Sequence, residues 1–270
     1  MPKIVPAYYY AQYGADYTKQ YPAQSFGGWT KTQVPIDPKR TAVVVMHVWK
    51  LPDMQQCPGL YDHLEYAQRA DSIVAERYPA FLDAVRKSGI RVIHVGAGFE
   101  PQLQEFPGYH AVREKYPPVC RERISPTDEH KILMDRHWKQ SCSANAERYE
   151  DIERSFTGRG FSVTPLDHEE VVTHSNQLFS LCKEHGIEHL IYAGFAVNAC
   201  LIMSACGLID MVRHGLMCSV VGDLTTAVEN KKSVQTQSNR EYGLWMFAVQ
   251  SGYVFLSEDL NNTLLKEEQL

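Results

Sequence analysis

At 270 residues with 44% hydrophobic content, the chain is long enough to bury a sizeable core as one large α/β domain. A formal net charge of -5 and a pI near 6.1 leave no electrostatic footprint for nucleic acid, and no apolar run approaches the ~20 residues needed to cross a bilayer. Met1 to Ala15 lack the charged-then-apolar order of a signal peptide, and the seven scattered cysteines match neither a secreted disulfide framework nor a CxxC metal site, so a cytoplasmic protein with reduced thiols is expected.

Met1 to Lys39 form a Tyr-rich stretch dotted with Pro and Gly (YYYAQYGADYTKQYPAQSFGGW) and lacking a clear period. Such a segment has no core of its own, yet Tyr and Trp supply large amphipathic contact area. It reads as an N-terminal aromatic arm (1–39) that wraps the main domain (40–270) or a neighbouring subunit. The first strand, Thr41 to Met46, has the apolar, β-branched composition of a central parallel strand covered on both faces. Leu64 to Ser88 carry apolar residues at helical spacing, closed by Gly89, with Pro79 placed to kink or divide the helix. Ile90 to Val95 make a second strand. Pro101 to Gly160 are polar and weakly periodic, with short helical candidates near Asn145 to Ser155; this stretch reads as an insertion over the sheet edge, of a kind that often covers active sites. Its Arg121, Arg123, Arg136, His137 and Lys139 either meet an anionic substrate or form a solvated face.

Leu190 to Ala193 are a short apolar run bounded by Gly194, Phe195 to Ala199 a tight connection, Cys200 to His214 a helix and Met217 to Val221 another strand. Asn239 to Val249 follow as an amphipathic helix, and Tyr253 to Leu256 as a last edge strand. The order predicts an α/β fold, a three-layer α/β/α sandwich with a mostly parallel, Rossmann-like sheet. Within it Cys182, Cys206 and Cys218 lie among apolar neighbours and read as core residues. Cys200 differs. It falls at a strand-to-helix turn, on the carboxyl edge of the sheet, where such folds bind ligands and a helix amino terminus lowers a thiol pKa. Cys200 is therefore the candidate nucleophile.

GFAVNACLIMSA followed by GLMCSVVGD resembles the cysteine-hydrolase segment of the isochorismatase-like family, whose pattern is close to G-V-x-T-N-x-C-V, then a helix, a strand and an Asp. Gly194, Asn198, Cys200 and Asp223 fall on matching positions, and Val197 replaces the usual Thr. VPIDPKRTAVVV resembles the lead-in to the family's first strand, so the resemblance runs from about Val34 to Leu256. It implies a cis peptide at Ala196–Val197, an oxyanion hole built from the Val197 and Cys200 amides, and assembly as a homodimer or homotetramer. It also implies an Asp base after the first strand and a Lys before the cysteine strand, and this sequence departs at both. His47 stands at the Asp position, with Asp53 of the following loop as the alternative. His174 stands where the Lys belongs, or Asp167 and His168 in an ungapped alignment. In the metal-dependent nicotinamidase branch an Asp and histidines after the second strand bind a divalent ion; Glu100, Glu105 and His110 occupy that stretch here without DxH spacing, and no metal or other cofactor is expected.

The resemblance implies a hydrolase for a small amide, carbamoyl or vinyl-ether substrate, with Cys200 as nucleophile. A neutral His47 accepts the Cys200 proton, His174 serves as acid to the leaving group, and the Val197 and Cys200 amides stabilise the oxyanion, one well-placed donor being worth ~3 kcal/mol. Two other readings stay open. With both charged triad members absent, the chain is a catalytically inactive scaffold acting as a binding or structural protein. Alternatively His47, His174 and Cys200 hold a soft divalent metal. His94, His185, His189 and His214 read as surface or satisfied core residues, and Asn198 as a turn-holding residue.

Overall fold

In the computed structural model, which describes residues 2–96, 100–141, 147–156 and 160–266, the strands are β1 (Lys3–Ala11), β2 (Gly28–Ile36), β3 (Thr41–Met46), β4 (Arg91–Val95), β5 (Glu170–Val172), β6 (His189–Gly194), β7 (Met217–Val221) and β8 (Val254–Phe255). They form one sheet in the order β2-β1-β8-β7-β6-β3-β4-β5. From β8 to β5 every pair is parallel; β1 runs antiparallel to both β8 and β2. The helices are α1 (Pro58–His63), α2 (Ala67–Glu76), α3 (Tyr78–Lys87), α4 (Pro107–Lys115), α5 (Asp128–Ser141), α6 (Tyr149–Phe156), α7 (Ser175–His185), α8 (Cys200–Met203), α9 (Leu208–Arg213), α10 (Ser238–Gln250) and α11 (Ser257–Leu264). Among the described residues no helix is long and apolar enough to cross a membrane.

Side-chain alternation along β3 sorts the layers. Ala42, Val44 and Met46 join a core with Leu178 and Leu181 of α7, Leu201 of α8, Met211 of α9 and Phe247 of α10. Val43 and Val45 point the other way, into a core with Phe81, Leu82 and Val85 of α3 and Leu260 and Leu264 of α11. All six residues of β3 and of β6 are buried. This two-sided burial explains the uninterrupted apolar composition of β3, and each fully buried aliphatic side chain contributes about 1.5–3 kcal/mol. The expected α/β/α layering and mostly parallel sheet are present.

Several elements depart from the sequence reading. The Tyr-rich stretch is not a wrapping arm: β1 and β2 pair along nine residues each and extend the sheet beyond β8. Val5 and Ala7 face the α11 side while Tyr10 stacks edge-on against Trp29 and Trp245, so both faces are covered and the period-2 contrast is lost. Consequently β8, expected at an edge, lies between β7 and β1. The helix expected over 64–88 is divided at Arg77, with Pro79 in the first turn of α3, where its missing N–H costs nothing. The helix expected from Cys200 to His214 breaks between α8 and α9. There Cys206 takes φ 67° and its N–H and carbonyl are held by Ser175 Oγ (2.9 Å) and Tyr192 OH (2.7 Å), which replace helical partners. The 101–160 insertion contains α4, α5 and α6.

Candidate functional site

From β3 the chain builds outward through β4 to β5, returns to β6 beside β3, and continues outward on the other side through β7 to β8. The order thus reverses between β3 and β6. In an open parallel sheet that reversal leaves a crevice at the strand carboxyl ends, because the two following connections diverge to opposite faces. His47 directly follows β3, and the Phe195–Ala199 turn leading to Cys200 directly follows β6. Met46 and Gly194 are register partners, and the Phe195 N–H donates to the Met46 carbonyl at 3.2 Å.

Cys200 and His47 line one cavity of about 220 Å³, together with Trp49, Tyr66, Asp71 and Phe195. His47 has φ 55°, the left-handed region that turns its side chain away from the strand path. Its ring stacks on Trp49 (centroids 5.4 Å apart), and Trp49 stacks on Phe161 (5.2 Å). The end of the insertion fixes this stack: Ser162 N–H donates to the Val48 carbonyl and Lys50 N–H to that of Gly160, each at 2.9 Å. Burial pushes the His47 imidazole down to about 4, so it is neutral near pH 7. Its Nε2 is buried and has no hydrogen-bond partner among the described residues.

The turn before Cys200 is held from outside. Asn198 pairs with the backbone of Val228, its Nδ2 donating to the carbonyl and its Oδ1 accepting the N–H, both at 2.9 Å. The Val197 N–H donates to the Thr226 carbonyl at 2.8 Å, which removes it as an oxyanion donor. The cis peptide lies at Phe195–Ala196, one residue before the expected Ala196–Val197, because β6 runs through Gly194 and the turn starts at Phe195. The N–H groups of Ala196 and Cys200 have no acceptor among the described residues. Cys200 is the first residue of α8 and is half-buried.

Asp71 was not anticipated from sequence. It sits on α2 at the cavity mouth, accepts a hydrogen bond from Tyr61 OH at 3.0 Å, and has its carboxyl pKa raised by burial despite that bond. In sequence it is one of several polar residues on an amphipathic helix, and nothing local marks it.

The remaining expected residues lie elsewhere. His174 lines a separate cavity with Cys120 and is hydrogen-bonded at both ring nitrogens, to Thr173 Oγ1 and Cys120 Sγ, so it is not brought together with Cys200 and His47. The metal reading of His47, His174 and Cys200 fails for the same reason, and among the described residues no three His, Cys, Asp or Glu side chains converge as a metal site. Asp53 is exposed and its carboxylate accepts the Gln55 N–H within its own turn. His168 lies in a cavity at the amino ends of the strands, the opposite edge of the sheet. Asp223 is engaged by Arg77 and by the N–H and hydroxyl of Ser257, a structural role at the start of α11. His110 caps its own loop through the Gln104 carbonyl, and the side chain of Glu100 lies outside the described residues. Six cysteines are free; Cys142 lies outside the described residues.

No family model matches the chain. The ureidoacrylate amidohydrolase RutB of Caulobacter segnis is 27% identical over 178 residues, 62% of this chain and 66% of that protein; the match thus spans just under two thirds of the relative. Among solved structures the chain is similar to a cysteine hydrolase from Pseudomonas syringae pv. phaseolicola (16% identity, TM-score 0.47, 86% of this chain and 95% of that one). It is also similar to an isochorismatase family protein from Burkholderia thailandensis (14%, TM-score 0.45, 86% and 98%). These are similarities of sequence over part of the chain and of overall chain path.

Proposed function

We propose that this chain, a divergent relative of the isochorismatase-like cysteine hydrolases, hydrolyses a small neutral or cationic amide with Cys200 as nucleophile and His47 as proton acceptor. One observation carries the reading: Cys200 and His47 line the same cavity at the sheet's crossover, and the buried His47 Nε2 has no hydrogen-bond partner among the described residues. A buried unsatisfied nitrogen costs about 1–3 kcal/mol, and a base awaiting a proton is a physical reason to retain one.

Magnitudes set the order of events. Moving a proton from a free thiol (about 8.5) to an imidazole near 4 is uphill by roughly 6 kcal/mol, and the attraction within a close ion pair returns about 4 kcal/mol at an effective dielectric of ~20. A resting thiolate–imidazolium pair is therefore disfavoured, and His47 takes the proton as sulfur attacks the carbonyl carbon. The Ala196 and Cys200 N–H groups, left without acceptors in the turn, bind the developing oxyanion. The His47 imidazolium then protonates the departing amine and the C–N bond breaks; water attacks the thioester with His47 again as base, the C–S bond breaks, and the proton returns from His47 to the Cys200 sulfur.

The curated relative is named for an acrylate, an anionic substrate. Among the described residues the present cavity is lined by one carboxylate, Asp71, and by no Lys or Arg, and His47 is neutral there. A carboxylate substrate would meet repulsion without a counter-ion, so an uncharged or cationic amide or carbamoyl compound fits better. A cytoplasmic homodimer or homotetramer, implied by the resemblance, belongs to the same proposal and is checked by light scattering and fractionation.

The reading is tested by incubating the uncharged amides nicotinamide and pyrazinamide with the protein and with Cys200→Ala. Turnover lost in the variant supports it; turnover unchanged in the variant removes it. A second reading, a ligand-binding scaffold without turnover, is favoured by one feature: among the described residues no lysine lines the cavity. Thermal stabilisation by these amides without hydrolysis would select it.

A further inference from the structure

Outside the Cys200 cavity, the Cys120 thiol faces an imidazole. Cys120 is exposed, and its Sγ lies 3.7 Å from His174 Nε2 in a cavity of about 590 Å³ also lined by Arg121, Arg123 and Asn176. A hydrogen-bond network behind the ring is compatible with a proton on Nδ1. Gln177 Nε2 donates to the Tyr116 carbonyl at 3.1 Å, and Gln177 Oε1 accepts the Thr173 and His174 N–H groups at 2.9 and 3.1 Å, so the amide has only one orientation. With the Thr173 hydroxyl donating to that oxygen (3.2 Å), Thr173 Oγ1 accepts from His174 Nδ1 at 2.8 Å. With the proton on Nδ1, Nε2 presents a lone pair to Cys120, the relation of a base to its nucleophile.

The segment carrying Cys120 is clamped in place. Asn176 Oδ1 accepts the Val119 N–H and Asn176 Nδ2 donates to the Pro117 carbonyl, each at 3.0 Å, while Arg121 pairs with Asp210 of α9. Arg123 is exposed at the rim.

We propose that Cys120 and His174 form a second reactive thiol site that exchanges with small anionic disulfides. The Cys120 proton passes to His174 Nε2, Sγ attacks one sulfur of the disulfide, the S–S bond breaks, and the leaving thiolate takes the proton from His174. The products are a mixed disulfide on Cys120 and one free thiol, with no net change of oxidation state. With Arg121 paired to Asp210, Arg123 at the rim is the cation that favours an anionic reagent. The inference is independent of the hydrolase reading, since none of these residues lines the Cys200 cavity.

The test uses the full chain in a Cys200→Ser background, incubated with oxidised glutathione or with the cationic disulfide cystamine, and maps mixed disulfides by peptide mass spectrometry. Cys120 is expected to be modified at neutral pH, faster by oxidised glutathione than by cystamine, with the difference shrinking in Arg123→Gln. His174→Asn keeps a good helix-capping residue and is expected to slow the exchange roughly tenfold. Equal rates in His174→Asn and its parent, no adduct at Cys120, or no preference for the anionic reagent would overturn the proposal. Should His174→Asn fail to fold, the parent's pH profile decides: full rate by neutral pH supports the site, and a rate rising only through the ordinary thiol range near ~8.5 overturns it.

Discussion

Gly194 lies so close to Met46 that a Cβ placed on it would sit 1.8 Å from the Met46 carbonyl oxygen. Its φ of 148° is also a conformation that side-chain-bearing residues rarely adopt. This contact locks the carboxyl ends of β3 and β6 together, and His47 and the Cys200 turn both start from it. Gly194→Ala is therefore expected to cost more than about 3 kcal/mol, read as a lowered urea midpoint. A loss below about 1 kcal/mol would mean that the two strand ends are not so constrained.

His47 is expected to matter for turnover and not for stability. Asn tolerates the left-handed backbone of this position and cannot serve as the base. On an amide hydrolysed by the parent, His47→Asn should lower kcat/KM by about 10²–10⁴-fold while the unfolding midpoint stays level or rises, because a buried unsatisfied nitrogen is removed. An unchanged kcat/KM would assign the proton transfer to another group.

Buried imidazoles, His47, His94 and His189 among them, make the fold acid-sensitive. Burial lowers both His47 and His189 from an ordinary 6.5 to about 4. Between those values the unfolded chain binds protons that the folded chain does not, so stability rises with pH across this window and falls as pH drops from 6.5 toward 4. His189→Gln removes one of these groups and should flatten the slope of stability against pH. An unaltered slope would show that His189 does not stay neutral in the fold.

Asp71 should govern substrate charge. With Asp71→Asn, the mouth keeps a hydrogen-bonding side chain and loses its negative charge. KM is expected to rise roughly fivefold or more for a cationic amide and to stay unchanged for a neutral one. Equal effects on both would make Asp71 a packing residue.

Much of the central sheet is legible in the sequence because β3, β6 and β7 are buried on both faces and so read as short continuous apolar runs. Cys200 is legible for a related reason: a turn between such a run and a helix has a fixed place at the sheet edge. What escapes is set by contacts distant in sequence. The Tyr-rich strands carry aromatics on a face covered by α10, which erases alternation. The proton of the Val197 amide is consumed by Thr226, 29 positions away, and Asp71 enters the cavity from a helix whose local pattern gives no hint of it. His174 illustrates the converse error. Its position after an apolar pair suggests a triad member, but β5 is at the sheet edge, with β3 and β4 between it and β6, and its carboxyl end opens into another cavity.

The central claim, a Cys200 thiol assisted by a neutral His47, is tested most directly by the pH dependence of Cys200 alkylation with iodoacetamide, followed by peptide mapping in Cys120→Ser protein. Assistance by an imidazole already neutral above about 4 predicts a rate nearly flat from about pH 5 to 8 and lowered roughly tenfold in His47→Asn. A rate climbing about tenfold per pH unit over that range and identical in His47→Asn is the behaviour of an unassisted thiol, and would contradict the account.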